Sequence, residues 1–314
     1  MRKALVVGIN NYPSAPLMGC VNDANAIANV LTAHGDGSPN FDVKLLTSPT
    51  ETIDRAALRA AIEALFSGEP DVALFYFSGH GFLKSTGGYI VTSDFRKYDE
   101  GVSMDEILSI ANQSKSKDKI VVLDCCHSGA FGSPALGLAG AQLSEGLTVL
   151  TASRDSESAL EVNGCGIFTS LVVDALQGGA ADLRGHVTPG SVYSYVDQAL
   201  GAWDQRPIFK TNVTRFTSLR AIPPRVFSTT LRKLCTYFRA PQDIFALGPE
   251  YEDTSPTPDP AKVPIFKDLQ KLFSVGLVIP VDEEFMYYAA MNSKSCKLTA
   301  LGYHYWRLIH EKRI

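Results

Sequence analysis

Two apolar runs in this chain end on residues that could do nucleophilic chemistry. Residues 71–79 (DVALFYFSG) lead into His80-Gly81, and residues 119–126 (KIVVLDCC) lead into His127-Ser128-Gly129. A thiol becomes a useful nucleophile near neutral pH when a base or a cation draws its proton away, and an imidazole can do that. The same imidazole can then hand the proton to a leaving amine. His80 and Cys126 are therefore candidates for attack on a carbonyl group. The backbone N–H groups of Gly81 and Cys126 are candidate donors to the oxyanion that develops. Glycines beside both segments let a substrate backbone come close.

Such chemistry requires the two segments to meet. Strand-like runs occupy 3–9, 42–47, 71–79, 119–126, 147–153 and 207–213, and several are apolar on consecutive rather than alternate positions. That pattern suits strands buried on both faces, hence a mostly parallel sheet covered by helices. Helical segments are expected at about 22–34, 52–66, 103–112, 165–178 and 190–201, with Asn22, Asp23 and Thr52 able to cap the first two. The alternation predicts an open α/β sandwich. In such sheets ligands bind beyond the carboxyl ends of the strands, where His80 and Cys126 both fall. A hairpin is expected over 82–92, turning at Thr86-Gly87-Gly88, and the Gly-, Ala- and Ser-rich stretch 128–146 reads as a loop.

The texture changes after about residue 221. IPPR (222–225) breaks the chain, and 251–264 is Pro-rich and acidic. The last stretch reads as a helix (267–276), a strand (277–280), a VDEE turn, a strand (285–291) and a helix (298–312). This resembles the end of a winged-helix domain, so the expected division is 1–221 and 222–314. Acidic and basic residues nearly balance after 221, and a VDEE wing would repel phosphate, so a protein regulator is expected there rather than a nucleic acid. Tyr287, Tyr288, Tyr303 and Trp306 are candidate contact residues.

Composition excludes several classes. With 314 residues the chain is long for one domain, and a net charge of −4 gives no sign of a nucleic-acid coat or a membrane-surface protein. No run of about 18 apolar residues suggests a membrane span. The start, MRKALVVGIN, has too short an apolar run for a signal peptide and reads as a strand. Six irregularly spaced cysteines with no CxxC pair argue against a zinc knuckle or a disulfide framework and for a reduced, cytoplasmic setting.

Tyr76-Phe77-Ser78-Gly79-His80-Gly81, followed 46 residues after the histidine by Asp124-Cys125-Cys126-His127-Ser128-Gly129, resembles the paired motifs of the caspase and metacaspase family. The Cys-His-Ser-Gly form is similar to metacaspases and bacterial caspase-like proteins. Val7-Gly8-Ile9-Asn10 with Tyr12, Gly19-Cys20-Val21-Asn22-Asp23-Ala24, Thr151-Ala152-Ser153-Arg154 and Gln205-Arg206-Pro207-Ile208-Phe209 extend the likeness over about 1–215. The resemblance implies a caspase-like α/β fold and a cysteine endopeptidase in which Cys126, not Cys125, is the nucleophile. It places Asp23 and Asp124 in a pocket that takes Arg, or Lys, before the scissile bond, with Cys20 lining it. It also has Ala152 and Ser153 align the substrate backbone. Two carboxylates favour a cationic side chain over an acidic one. Arg154 lies near the substrate strand, and it is expected to point away.

The loop 128–146 holds no Lys or Arg, so an Arg-specific enzyme could not cut itself there, and activity from the uncut chain is expected. Some metacaspases need calcium. Asp94 and Asp99 follow the hairpin, but no Asp-x-Asp-x-Asp-Gly loop is present, so no cofactor is expected. By analogy alone, the protein would be a bacterial signalling or defence effector switched through residues 222–314. Two alternatives stand beside this reading: an inactive caspase-like scaffold, and a regulator that binds DNA through the C-terminal region.

Overall fold

The inner strands of the central sheet are short and largely buried on both faces. In the computed structural model, which describes residues 1–13, 15–84, 87–96, 99–125, 143–152, 161–162, 164–200 and 207–314, six strands pair into one sheet. They are β1 (Arg2–Gly8), β2 (Asp42–Thr47), β3 (Val72–Ser78), β7 (Asp118–Asp124), β8 (Leu147–Thr151) and β12 (Ile208–Asn212). Their order is β12-β8-β7-β3-β1-β2; the first five in sequence are parallel, and β12 runs antiparallel along β8.

Alternate side chains of each strand pack into two apolar layers. Leu5, Val7, Phe75, Phe77, Val121 and Leu123 face helices α2 (Arg55–Phe66) and α3 (Met104–Gln113). Val6, Leu74, Tyr76, Ile120 and Val122 face α1 (Cys20–Thr32), α4 (Ile167–Asp174) and α5 (Pro189–Leu200). Burial on both sides is why the inner strands lack a polar face, whereas the edge strands β2 and β12 keep exposed positions.

Between β3 and α3, a separate three-stranded antiparallel sheet joins β4 (Gly81–Lys84), β5 (Gly87–Arg96) and β6 (Asp99–Ser103). The expected hairpin is present as β4 and β5; its third strand was not expected. Two short strand pairs complete this unit: β9 (Glu161–Val162) with β10 (Cys165–Gly166), and β11 (His186–Val187) with β13 (Arg220–Ala221).

Helix starts depart from the expectation in an instructive way. Asp54, not Thr52, caps α2, its side chain accepting from the Ala57 N–H at 2.7 Å. Helix α1 begins at Cys20 with Gly19 at its cap position and no side-chain cap. Asp23 therefore lies inside the first turn, buried, and bonds elsewhere. Gly8 lets α1 settle on β1: a Cβ there would stand 2.3 Å from the Cys20 carbonyl oxygen. Asn10 then holds the helix start, accepting from the Val21 N–H at 3.1 Å and donating to the Met18 carbonyl at 3.0 Å.

A second compact unit comprises Leu183–Gly185 and Pro223–Ile314. It holds α6 (Ser228–Arg232), α7 (Leu234–Tyr237), α8 (Val263–Ser274), α9 (Met286–Met291) and α10 (Ala300–His310). It also holds an antiparallel sheet ordered β14 (Ile244–Ala246), β16 (Ser295–Leu298), β15 (Val278–Val281). The expected strand 285–291 is helical instead. Met286, Ala289 and Ala290 are buried at i, i+3 and i+4, which only a helix can turn to one side. A two-stranded wing across VDEE is therefore absent, because β15 pairs with β16 beyond that helix. Trp306 is core, its indole N–H donating to the Phe238 carbonyl at 2.7 Å, whereas Tyr287, Tyr288 and Tyr303 are exposed. Among the described residues no helix is long and apolar enough to cross a membrane.

Candidate functional site

Parallel strands deliver their carboxyl ends to one edge of the sheet. Ser78 and Asp124 are register partners at the ends of β3 and β7, so His80 and Cys126 each follow two residues after the last paired position. The Gly79 N–H donates to the Asp124 carbonyl at 3.3 Å, and the Ala152 N–H to the Leu123 carbonyl at 2.9 Å, tying β3, β7 and the end of β8 together at this edge. Cys126, His127, Ser153, Arg154, Gln205 and Arg206, and most of the 128–146 loop, lie outside the described residues.

His80 is oriented from two sides. Its Nε2 stands 2.7 Å from the carbonyl oxygen of Ala15. A carbonyl can only accept, so Nε2 carries a proton, and in the neutral ring Nδ1 is left with the lone pair. The imidazole is thus set as a base through Nδ1. Its backbone N–H donates to the phenolic oxygen of Tyr12 at 3.0 Å, and that phenol donates to the Val91 carbonyl at 3.2 Å. The Tyr12 and His80 rings lie 4.6 Å apart, tilted by 57°. Burial pushes the Tyr12 phenol well above its usual range, and the Cys20 and Cys125 sulfurs add to this, outweighing the opposing bond from His80. Tyr12 is therefore a permanent O–H donor at working pH. Tyr12→Phe removes both bonds, and we expect a loss of about 1–3 kcal/mol of stability. A thermal melt unchanged from wild type would contradict this.

Asp23 and Asp124 converge on the opposite side of the sheet edge. Asp23 Oδ1 accepts from the Gly166 N–H at 3.0 Å, and its Oδ2 accepts from the Ser78 hydroxyl at 3.2 Å. Asp124 Oδ2 accepts from the Thr169 hydroxyl at 2.5 Å, and Thr169 in turn pairs with the Tyr76 hydroxyl at 2.5 Å. Since Thr169 gives its proton to the carboxylate, Tyr76 donates to Thr169, and the relay polarises toward Asp124. Burial, with the Asp124 and Asp23 charges, raises the Tyr76 phenol well above its usual range and keeps it a donor. Both carboxylates are nearly inaccessible, at 3% and 6% exposure. Gly166 separates them: a Cβ there would lie 2.9 Å from Asp124 Oδ2 and 3.2 Å from Asp23 Oδ2. A bond from the Asn22 side chain to the Gly164 carbonyl at 2.9 Å fixes this strand against α1.

Of the remaining expected residues, Cys20 is buried at the first position of α1. Ala152 is buried just beyond β8. Gly81 opens β4 directly after His80. Cys125 is buried in the apolar layer shared with Phe77 and Leu123. The Ala15 carbonyl, the Gly166 amide, Ser78, Tyr76 and Thr169 were not foreseen. A signal for Gly166 was available, as a glycine directly before a helix in Cys165-Gly166-Ile167.

Residues 1–232 match the Caspase domain family, Peptidase_C14. The chain belongs to this family. Among relatives of the caspase-domain chain, Metacaspase-9 of Arabidopsis thaliana is 30% identical over 149 residues, covering 41% of the chain and 44% of that protein. Metacaspase-1 of Saccharomyces cerevisiae is 40% identical over 87 residues, 26% of the chain and 20% of that protein. The caspase-domain chain thus spans less than half the length of these curated relatives. Its fold is similar to that of Caspase-1 from Spodoptera frugiperda, with a TM-score of 0.50 at 13% identity over 70% of the chain and 90% of that structure. It is also similar to GSU0716 from Geobacter sulfurreducens, with a TM-score of 0.52 at 16% identity over 71% and 98%.

Proposed function

We propose that the protein is a cysteine endopeptidase that cleaves after Arg, with Lys as the second choice. The observation that carries this reading is the convergence of Asp23 and Asp124 around Gly166, at the same sheet edge that presents His80. Two buried carboxylates side by side favour a cation between them. A guanidinium satisfies both in a way that a neutral or acidic side chain cannot. In this reading Cys126 attacks the scissile carbonyl as its thiol proton passes to His80 Nδ1. The amides of Gly81 and Cys126 hold the oxyanion, and His80 returns the proton to the leaving amine. Water then hydrolyses the thioester. Ala152 and Ser153 align the substrate backbone, and Cys20 lines the pocket beside Asp23.

Residues 1–221 form the peptidase domain in this proposal. Residues 222–314 act as a module for a protein regulator, supported by the exposed rings of Phe285, Tyr287, Tyr288 and Tyr303. Neither a cofactor nor self-cleavage is required, so EDTA is expected to leave the rate unchanged.

The test is a fluorogenic peptide panel with Arg, Lys or Asp before the scissile bond. Arg is expected to be cut fastest and Asp not at all; preferential cleavage after Asp would overturn the specificity. A sharper check is Gly166→Ala. Its methyl group would push into both carboxylates, and a displacement of this kind is expected to cost roughly 10²-fold in kcat/KM on the Arg peptide.

A further inference from the structure

A cavity of about 190 Å³ adjoins His80 on the face of the sheet away from the carboxylate pair. Its walls include Tyr12, Pro13, Phe82, Val91 and Phe95, and the imidazole itself forms one side. Tyr12 and Val91 belong to the α2 and α3 layer, whereas Asp23, Asp124, Tyr76 and Thr169 lie with α1 and α4. The two recesses therefore flank His80 from opposite faces of one edge. The cavity is almost wholly apolar and smaller than the roughly 300 Å³ at which small-molecule sites begin. It suits a single large side chain.

We infer that this cavity is the leaving-group subsite and takes an apolar or aromatic side chain immediately after the scissile bond. The inference rests on the peptidase reading above. Groups on either side of a scissile bond must diverge from the carbonyl that the thiol attacks. If the preceding Arg enters the carboxylate pocket on the α1 and α4 face, the following residue leaves toward the opposite face. His80 lies on that path because it must reach the departing amine. The side chain attached to that amine then meets the rings of Phe82 and Phe95, which are 40% and 38% exposed without substrate. Covering them is favourable for an apolar side chain and unfavourable for a charged one, which would lose its hydration.

The experiment uses the full chain and peptides that share one Arg before the cleavage point and carry Leu, Phe, Gly or Asp after it, with products measured by mass spectrometry. Leu and Phe are expected to be cut about 10- to 100-fold faster than Gly in kcat/KM, and Asp slowest, the range a single apolar pocket gives. Phe82→Ser and Phe95→Ser are each expected to shrink the Leu-to-Gly ratio several-fold. Leu83→Ser, exposed on the same strand but outside the cavity wall, is expected to retain it. The readout is a ratio within one protein, so partial loss of folded material cancels. Equal rates for Leu, Phe and Gly, or ratios unmoved by both Phe substitutions, overturn the subsite and leave the Arg specificity standing. No cleavage of any peptide overturns the peptidase reading and this inference with it.

Discussion

Cys126→Ala is expected to lower kcat/KM on an Arg peptide by at least about four orders of magnitude, as removal of a covalent nucleophile does. Cys125→Ala is expected to stay within about tenfold of wild type and to cost about 1 kcal/mol of stability. The contrast follows from strand alternation. Leu123 and Cys125 lie in the apolar layer with Phe77, while Asp124 points to the other face and accepts from Thr169. Cys125, at 2% exposure, is packed as a small apolar residue. Cys125 is committed to the apolar layer, so the two variants should differ by orders of magnitude. Similar losses in both would mean that the nucleophile has been misassigned.

The second large effect concerns charge. Asp23→Asn and Asp124→Asn each keep an acceptor oxygen of the same shape but remove one negative charge from a buried pair. Each is expected to cost about 2–5 kcal/mol of transition-state stabilisation with Arg before the scissile bond, or tens- to thousands-fold in kcat/KM. For Asp124→Asn, whose amide oxygen can still accept from Thr169, the thermal midpoint is expected to stay near that of wild type. Asp23→Asn gives up one of the two acceptors bonded to Gly166 and Ser78 and is expected to melt lower. Loss of Arg cleavage with an unchanged midpoint in Asp124→Asn separates a specificity role from a folding role. An undiminished Arg preference in both variants would remove the carboxylate pair from the substrate site.

The parallel sheet was legible because its inner strands are buried on both faces. Ala73 through Phe77 is apolar at every position, a pattern that an exposed face would have interrupted. The edge location of His80 followed from the same runs. The helix at 286–291 was not legible, since six residues give less than two turns of periodicity and tyrosines favour strands. The buried spacing of Met286, Ala289 and Ala290 was the available clue. Much of the site was hidden for a different reason. The Ala15 carbonyl and the Gly166 amide act through backbone atoms that every residue carries, so no side-chain pattern marks them. Asp23 was ambiguous between helix cap and pocket wall; its burial inside the first turn of α1 and its bonds to Gly166 and Ser78 come from tertiary packing.

Covalent labelling tests the central claim most directly. The intact protein is treated with an arginyl ketone bearing a leaving group, and the adduct is located by tandem mass spectrometry. The account predicts one adduct, on Cys126, suppressed in His80→Ala and competed by an excess of Arg peptide. Labelling of Cys125 instead, or of neither cysteine, would contradict it.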